Sequence, residues 1–289
     1  MKVGIIGLGL IGGSMALSLQ QKPKDYFIYG RDKNRQNTDY ALKQGMIDGI
    51  LDIDSISSIE LLFIATPVRT IIPIVREWYP YLPANTLVSD LGSTKSNLQQ
   101  GIKREFPQLK YIGGHPMAGR EVSGPAAASK DLFRDNTYVL MDSGLNTTNR
   151  DYRVLVSVLE KTGAVIKYMG AHTHDSLVAV TSHLPRIMAS TLVTSLIKNE
   201  KDNREIGELI GSGFQDVTRV AAGNPRMWLD IFLTNRDNIV NHLEQLINTI
   251  EEFKNQLAQQ NESQLTQFLT STRNRRLKLK EGINHDTDN

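Results

Sequence analysis

The first half of the chain alternates short apolar runs with amphipathic stretches. The apolar runs are rich in Ile, Val, Leu and aromatic residues, as is typical of buried strands, and the stretches between them repeat apolar residues at helical steps. The candidate strands are Lys2–Ile6, Tyr26–Tyr29, Leu61–Ala65, Thr86–Asp90, Tyr111–Gly113, Thr137–Met141 and Ala164–Met169. The candidate helices between them are Ile11–Gln21, Asn34–Gln44, Val68–Tyr79, Ser93–Phe106 and Asp151–Lys161. This alternation predicts an α/β domain with a parallel sheet flanked by helices.

The pattern changes near Gly170, after which the strand signals stop. The stretches that follow repeat apolar residues at three- and four-residue steps and predict helices, over His174–Ile197, Glu205–Gly211, Pro225–Lys254 and Ser263–Lys280. We therefore predict a first domain over residues 1–169, an all-α domain over 170–280 and a disordered tail over 281–289. The basic end of the last helix is predicted to be a solvated surface rather than a binding patch.

Composition narrows the class of protein. The chain has 289 residues, with 33 Lys and Arg against 31 Asp and Glu, a formal charge of +2. A charge so close to zero argues against a nucleic-acid partner bound through a broad basic face. The sequence has no cysteine, which excludes disulfides, iron–sulfur clusters, zinc-thiolate sites and cysteine nucleophiles.

The uncharged stretch Val3–Leu19 superficially resembles a signal peptide. It is interrupted by glycines, and no cleavage-site pattern follows it, because residues 20–23 are Gln, Gln, Lys and Pro. No other stretch is long and apolar enough for a membrane span. We therefore expect a cytoplasmic protein with no membrane partner.

A glycine-rich motif links the first strand to the first helix. Residues 7–12, Gly-Leu-Gly-Leu-Ile-Gly, fit the pattern G-x-G-x-x-G. In dinucleotide-binding folds the first glycine permits a tight turn, the second lets a pyrophosphate approach the backbone, and the third packs helix against strand. The strand and helix around it favour a Rossmann-type domain over a glycine turn without a ligand. The predicted contacts here are Gly7, Gly9, Leu10, Ile11 and Gly12.

The end of the second strand bears on the choice of cofactor. An acidic residue at this position binds the ribose 2′-hydroxyl of NAD, whereas an arginine accommodates the 2′-phosphate of NADP. Asp32 is flanked by Arg31, Lys33 and Arg35, so the local charge is positive. We favour NADP as the cofactor, with NAD as the alternative, and assign cofactor contacts to Arg31, Asp32 and Arg35. Asp32 could instead cap the next helix.

Three further strand ends carry polar residues. Ligands of open parallel sheets bind beyond the carboxyl ends of the strands, where we expect Thr66 and Pro67 beside the cofactor. Ser93 follows the next strand and His115 the one after. A histidine there is suited to exchange a proton with a hydroxyl group that loses hydride. The alternative for His115 is a hydrogen-bonded turn residue.

Several motifs occur together in a recognisable order, namely Gly7–Gly13, Asp90–Lys95, His115–Gly119, Ser182–Pro185 and Phe214–Arg219. The series resembles the prephenate/arogenate dehydrogenase family of tyrosine biosynthesis, and is most similar to the cyanobacterial-type arogenate dehydrogenases. The resemblance implies a dinucleotide-binding domain followed by an all-α dimerisation domain, and therefore a homodimer. It also implies oxidative decarboxylation of a cyclohexadienol, with hydride transfer to NAD(P)+.

The same resemblance implies roles for single residues. His115 polarises or deprotonates the ring hydroxyl, Ser93 hydrogen-bonds to it, and Arg219 binds the ring carboxylate. Ser182 and Trp228 match residues of the substrate pocket. Arg219 has a second interpretation, an ion pair with an aspartate such as Asp216 or Asp175.

One position departs from the pattern of many prephenate-using members. Those members have His-Leu-Pro-His, where this chain has His-Leu-Pro-Arg, ending in Arg186. Arg186 is suited to bind the side-chain carboxylate that arogenate and prephenate share. We lean to arogenate as the substrate, with prephenate, used by an NAD-dependent enzyme, as the alternative.

Three other interpretations compete. His172, His174 and Asp175, followed by His183, invite a metal site, but the pattern lacks a typical ligand spacing, and we predict no metal. A β-hydroxyacid dehydrogenase would need a lysine on the first long helix of the second half, and no lysine occurs between Lys167 and Lys198. A non-enzymatic NADP sensor would explain the glycine motif but not Ser93, His115 and Arg219 together.

Overall fold

A computed structural model of the chain describes residues 1–21, 25–142, 149–200 and 204–285. Within these residues the strands form one eight-stranded sheet in the order β3-β2-β1-β4-β5-β6-β7-β8. The strands are β1 Lys2–Ile6, β2 Phe27–Arg31, β3 Gly49–Ile50, β4 Leu61–Ile64, β5 Leu87–Asp90, β6 Lys110–Pro116, β7 Thr137–Met141 and β8 Val165–Met169. The reversal of order at β1 and β4 is the switch point beside which doubly wound folds bind their ligands.

Helices cover both faces of the sheet. They are α1 Leu10–Leu19, α2 Arg35–Lys43, α3 Ile53–Ile56, α4 Ile71–Trp78, α5 Ser96–Glu105 and α6 Arg150–Glu160. One buried cluster joins the sheet to α1 and α6, and a second joins it to α3, α4 and α5. The central strand β4 is buried along its whole length, as expected for a strand covered on both faces.

The sheet departs from the predicted parallel arrangement at one edge. The strands from β3 to β6 are parallel, but β7 runs antiparallel to β6, with His115 opposite Val139. A parallel return needs a crossover, usually a helix, and residues 117–136 contain only the short 3₁₀ turn Pro125–Ala127. The chain therefore comes back alongside β6 in the opposite direction.

The second half is helical, as the sequence predicts. It contains α7 Ala171–Val178, a π-helical turn Ala179–His183, α8 Leu184–Glu200, α9 Ser212–Thr218, α10 Pro225–Thr234, α11 Arg236–Ala258 and α12 Glu262–His285. None of the helices in the described ranges is long and apolar enough to cross a lipid bilayer. The predicted helix Pro225–Lys254 is in fact two helices, because the chain leaves the helical conformation at Asn235.

Contacts divide the chain into two compact units, Met1–Ile239 and the part from Val240 onward. The predicted boundary near residue 170 coincides with a change in the type of element and stays a prediction as a domain boundary. Helix α12 continues to His285, into the segment predicted to be a tail, and residues 286–289 lie outside the described ranges.

Candidate active site

The glycine motif forms the turn between β1 and α1. Gly7 has φ +94°, and a Cβ there would lie 2.5 Å from the carbonyl oxygen of Ala65. A Cβ on Gly12 would lie 1.8 Å from the carbonyl oxygen of Gly7. Gly9 differs, because a Cβ there would meet nothing within 4 Å. Gly7 and Gly12 are therefore required by packing, whereas Gly9 leaves an open approach to the start of α1, as a bound pyrophosphate requires.

Asp32 follows the end of β2 and holds the glycine turn. Its Oδ2 accepts a hydrogen bond from the Leu8 amide at 2.8 Å, and its Oδ1 accepts one from the Asn34 amide. Helix α2 is capped by Asn34, whose side chain accepts from the Gln36 amide. The alternative in which Asp32 caps this helix is therefore wrong.

Arg31, the last residue of β2, and Arg35, the first residue of α2, have partners of their own. The Arg31 guanidinium lies over the Trp78 ring at 5.5 Å from its centroid. Arg35 forms an exposed ion pair with Asp39 at 3.8 Å. Both are close to the end of β2, where the adenosine end of a dinucleotide binds in this fold class.

A cleft of about 720 Å³ connects the glycine turn to the helical half within the unit Met1–Ile239. Nine of the residues that the sequence assigns to the site line this cleft, namely Gly9, Leu10, Ile11, Thr66, Pro67, Ser93, His115, Ser182 and Trp228. Glu121 and His183 also line it. Arg186 and Arg219 lie outside this lining set. A more open depression of about 680 Å³, around Lys2, Asp25 and Glu60, contains no predicted site residue.

His115 is the second-last residue of β6 and belongs to a chain of hydrogen bonds. Its Nδ1 lies 2.8 Å from His174 Nε2, and His174 Nδ1 lies 2.8 Å from Asp175 Oδ1. His174 and Asp175 are each 1% exposed. Their adjacency was visible in the sequence, but nothing there indicated that α7 brings them against β6.

Asp175 also fixes the start of α5. Its Oδ1 accepts from the Lys95 amide at 2.8 Å and its Oδ2 from the Ser96 amide at 2.7 Å. Burial by itself would raise the pKa of this carboxyl, but the hydrogen bonds from His174, Ser96 and Lys95 lower the pKa on balance. Asp175 is therefore ionised, and it connects the turn that carries Ser93 to the histidine pair.

The environment of His115 favours the neutral ring. Burial lowers its pKa well below the ordinary value, and the neighbouring His174, Lys95 and His183 add to the effect. A neutral histidine can accept a proton from a hydroxyl group, which a protonated one cannot.

A buried ion pair supports the strand below His115. Lys95, 1% exposed, donates from Nζ to Asp90 Oδ1 and, at 2.7 Å, to the Gly114 carbonyl. Tyr111 donates its hydroxyl to the other Asp90 oxygen at 2.5 Å. Each charge in this network has partners, as a buried charge requires.

The π-helical turn between α7 and α8 supplies the far wall of the cleft. It contains Ser182 and His183, and His183 packs edge-on against Trp228 with ring centroids 6.2 Å apart. Asn235 donates its amide to the carbonyl of Asp175 and contacts His183 Nδ1 at 3.2 Å. The break between α10 and α11 thus has a function in packing, because it buries this amide.

The structure places Arg186 behind the wall of the cleft. It is 8% exposed, it donates to the carbonyls of Val220 and Gly223, and its guanidinium lies 5.5 Å from the Trp228 ring centroid. In this position the guanidinium holds the segment that carries Trp228.

Arg219 is exposed and forms an ion pair with Glu121, a residue that lines the cleft. The sequence suggested Asp216 or Asp175 as its partner, and both suggestions are wrong. Glu121 was missed because it lies in a loop, residues 117–124, that no sequence pattern places near α9.

Among the described residues no group of three or more His, Cys, Asp and Glu side chains is arranged to hold a metal ion. Both ring nitrogens of His174 are engaged, one by His115 and one by Asp175.

Two sequence models match almost the whole chain. The nucleotide-binding domain of prephenate dehydrogenase matches residues 15–168, and the prephenate dehydrogenase dimerization domain matches residues 170–271. The chain belongs to the prephenate dehydrogenase family. The resemblance seen in the sequence motifs is thereby confirmed, and so is the predicted order of a Rossmann-type domain followed by a helical one.

Similar proteins agree with this family. Prephenate dehydrogenase of Bacillus subtilis is 32% identical over 276 residues, which cover 94% of this chain and 74% of that protein. The structure of Aquifex aeolicus prephenate dehydrogenase with hydroxyphenyl propionate and NAD+ has a TM-score of 0.89 at 30% identity, covering 96% of this chain and 98% of that one. Synechocystis arogenate dehydrogenase has a TM-score of 0.82 at 28% identity, covering 96% and 100%.

Family membership defines the general activity. The chain is an oxidoreductase of aromatic amino acid biosynthesis that uses a nicotinamide dinucleotide and a small-molecule substrate. It forms a homodimer through the helical half, where large apolar side chains such as Leu192, Ile197, Leu229 and Leu233 are exposed in the single chain.

Proposed function

We propose that this chain oxidises and decarboxylates arogenate to tyrosine, with prephenate, giving 4-hydroxyphenylpyruvate, as the alternative substrate. The observation that carries the proposal is the position of His115. It lies in the same cleft as the glycine turn, Ser93 and Trp228, and its Nδ1 is held by His174. A bound nicotinamide dinucleotide supplies the hydride acceptor.

The chemistry assigns a proton role to His115. As the C4–H bond of the ring breaks and its electron pair leaves as hydride, His115 accepts the hydroxyl proton and C4 becomes a carbonyl carbon. The bond between the ring and its carboxylate then breaks, CO2 leaves, and the electron pair makes the ring aromatic. His115 returns its proton to the phenolic oxygen, so no net proton is consumed. Ser93, which lines the same cleft, orients the hydroxyl group.

Substrate binding is assigned to the helical wall and the 117–124 loop. We infer that Arg219 binds the ring carboxylate and that Ser182 and Trp228 contact the ring. Arg186 acts through the segment it holds, since its donors go to Val220 and Gly223.

The preference for arogenate is supported by Glu121. This carboxylate lines the cleft and is suited to accept a hydrogen bond from the ammonium group that arogenate has and prephenate lacks. The similarity to the Bacillus subtilis prephenate dehydrogenase supports the alternative.

The choice of dinucleotide depends on the loop after β2. We propose NADP+ because Arg31, Lys33 and Arg35 outweigh one carboxylate. NAD+ is the alternative, and a specific contact favours it. The Asp32 carboxylate accepts a hydrogen bond from the Leu8 amide at the glycine turn. In this position its negative charge would repel a 2′-phosphate, and its oxygens could accept hydrogen bonds from the ribose hydroxyls.

One experiment tests the substrate and the cofactor together. Steady-state kcat/KM is measured from the absorbance of the reduced nicotinamide for arogenate and prephenate, each with NADP+ and NAD+. The expected result is the highest kcat/KM for arogenate with NADP+. Efficient turnover of prephenate alone, or a strong preference for NAD+, would overturn the corresponding part of the proposal.

The role of His115 has its own test. His115→Asn should lower kcat by about 10²–10⁴-fold, the usual contribution of a general acid–base group, while the Kd of the dinucleotide changes little. An unchanged kcat would show that the proton is accepted elsewhere.

A further inference from the structure

The hydrogen bonds behind His115 determine which of its nitrogens carries the proton. Ionised Asp175 is only an acceptor, so His174 must present its proton on Nδ1 at the 2.8 Å contact. When His174 carries this one proton, its Nε2 is an acceptor. Because this Nε2 lies 2.8 Å from His115 Nδ1, His115 must donate from Nδ1. The second ring nitrogen of His115, Nε2, is left without a proton.

We propose that His174 and Asp175 are positioning residues that lock His115 in the tautomer with an unprotonated Nε2, ready to accept the hydroxyl proton of the substrate. The inference rests on the proposed function of His115 as the proton acceptor. Neither His174 nor Asp175 lines the cleft, so both act through His115. In many enzymes a carboxylate binds one nitrogen of a catalytic histidine and so leaves the other nitrogen free to accept a proton. Here the His174 ring lies between the carboxylate of Asp175 and His115.

Asp175 has a second effect on the same site. Its two carboxylate oxygens accept the Lys95 and Ser96 amides at the start of α5, two and three residues beyond Ser93. One buried carboxylate therefore sets both the tautomer of His115 and the position of the turn that presents Ser93. If His174 and Asp175 only filled space, neither the charge of Asp175 nor the acceptor Nε2 of His174 would be needed.

Two substitutions at His174 separate positioning from packing. In His174→Gln the side-chain oxygen can stand near the position of Nε2 and accept from His115 Nδ1–H, whereas His174→Leu fills similar space without an acceptor. His172→Leu is the matched control, because His172 is exposed on the same helix. For each protein we would measure kcat, KM, the Kd of the dinucleotide and Tm. The tautomer of His115 is read from long-range ¹H–¹⁵N correlation spectra, with its signals assigned by their loss in His115→Asn.

The expected result is a clear ranking of the variants. His174→Leu lowers kcat by about 100-fold or more, within the range for general acid–base groups, and His115 loses its single Nδ1–H tautomer. His174→Gln stays within about tenfold of the parent kcat and keeps the tautomer. The Kd of the dinucleotide stays close to that of the parent in both variants, and His172→Leu matches the parent throughout.

The proposal is overturned if His174→Leu keeps the parent kcat, or if both variants lose kcat equally while the His115 tautomer stays unchanged. It is also overturned if His115 in the unsubstituted protein carries its proton on Nε2. That last measurement needs no turnover. If the unsubstituted protein uses neither arogenate nor prephenate, the proposed function fails, and the tautomer still decides the positioning inference.

Discussion

Arg219 and His115, two residues of the proposed site, are held in different ways. His115 is fixed by buried partners, whereas the Arg219 side chain is 65% exposed and its partner Glu121 is 36% exposed. Ion pairs this exposed contribute little to folding, at most about 1 kcal/mol. Arg219 therefore has little effect on stability, and its charge is available to a bound anion.

This contrast leads to a prediction for Arg219→Ala. The substitution should raise KM by roughly 10–100-fold, because a hydrogen bond to a charged group contributes about 1.5–3 kcal/mol, while Tm stays close to that of the parent. The measurement is steady-state kinetics with the better substrate, together with a thermal melt. Arg226→Ala, an exposed arginine outside the cleft lining, is the control. A KM unchanged from that of the parent would remove Arg219 from the substrate site.

At the scale of elements, different glycines of the turn between β1 and α1 serve folding and binding. Gly12 packs α1 against Gly7 and Ala65, and Gly9 faces open space. The two positions belong to the same motif, yet the physical demand on each is different.

We predict opposite outcomes for two alanine substitutions in this motif. Gly12→Ala should lower Tm markedly, because its Cβ would overlap backbone atoms and the turn must move. Gly9→Ala should keep the parent Tm but weaken dinucleotide binding by about tenfold or more, which corresponds to about 1.4 kcal/mol. Calorimetric melts and dinucleotide titrations check both. Equal dinucleotide affinity in Gly9→Ala and the parent would mean that no phosphate approaches this backbone.

Patterns within one element predicted well, and contacts between distant elements did not. The apolar runs in the sequence predicted β1 and β7 with their observed bounds, because a strand that is buried on both faces is apolar along most of its length. The direction of β7 was missed, since direction depends on the path of residues 117–136 rather than on the strand. The short strand β3 has too few residues to form a pattern.

The site was predictable to the same extent. Ser93 follows β5, and His115 lies near the end of β6. The carboxyl ends of parallel strands meet at one edge of a sheet, so the convergence of the two residues could be expected. The contact between His115 and His174 joins positions 59 residues apart, and no local pattern records it. The burial of Arg186 was equally invisible, because an arginine in a helix is usually exposed.

At the scale of the whole molecule, the two cleft histidines make stability depend on pH. Burial lowers the pKa of His183 to about 4, with a smaller contribution from His174 and an opposing one from Asp175. The pKa of His115 is lowered too, and Lys95, His174 and His183 are the charged or titratable groups that face it. Both rings take up protons more readily in the unfolded chain, so protonation favours unfolding.

We therefore predict that the free energy of unfolding is constant above about pH 6.5 and falls as the pH is lowered towards 4. Each unit of pKa shift corresponds to 1.36 kcal/mol, so His183 alone contributes a loss of about 3 kcal/mol. Urea denaturation between pH 4 and 7.5 measures it. His183→Gln should remove the part of this dependence that is due to His183, and His172→Leu should leave the dependence as in the parent. A parent whose stability rises on acidification through this window would contradict the assignment.

In the π-helical turn Ala179–His183, the number of residues matters more than which residues they are. A continuous α-helix advances about 100° per residue, so His174 and His183 would point about 180° apart along an unbroken α7–α8 helix. The wider turn carries one residue more than an α-turn and takes up about 100° of this angle. The two side chains are then about 80° apart, and His174 contacts His115 on β6 while His183 lines the same cleft. A one-residue deletion between residues 179 and 181 would change neither charge nor hydropathy appreciably. It would nonetheless rotate Ser182 and His183 by about 100° about the helix axis and turn both side chains away from the cleft that they line.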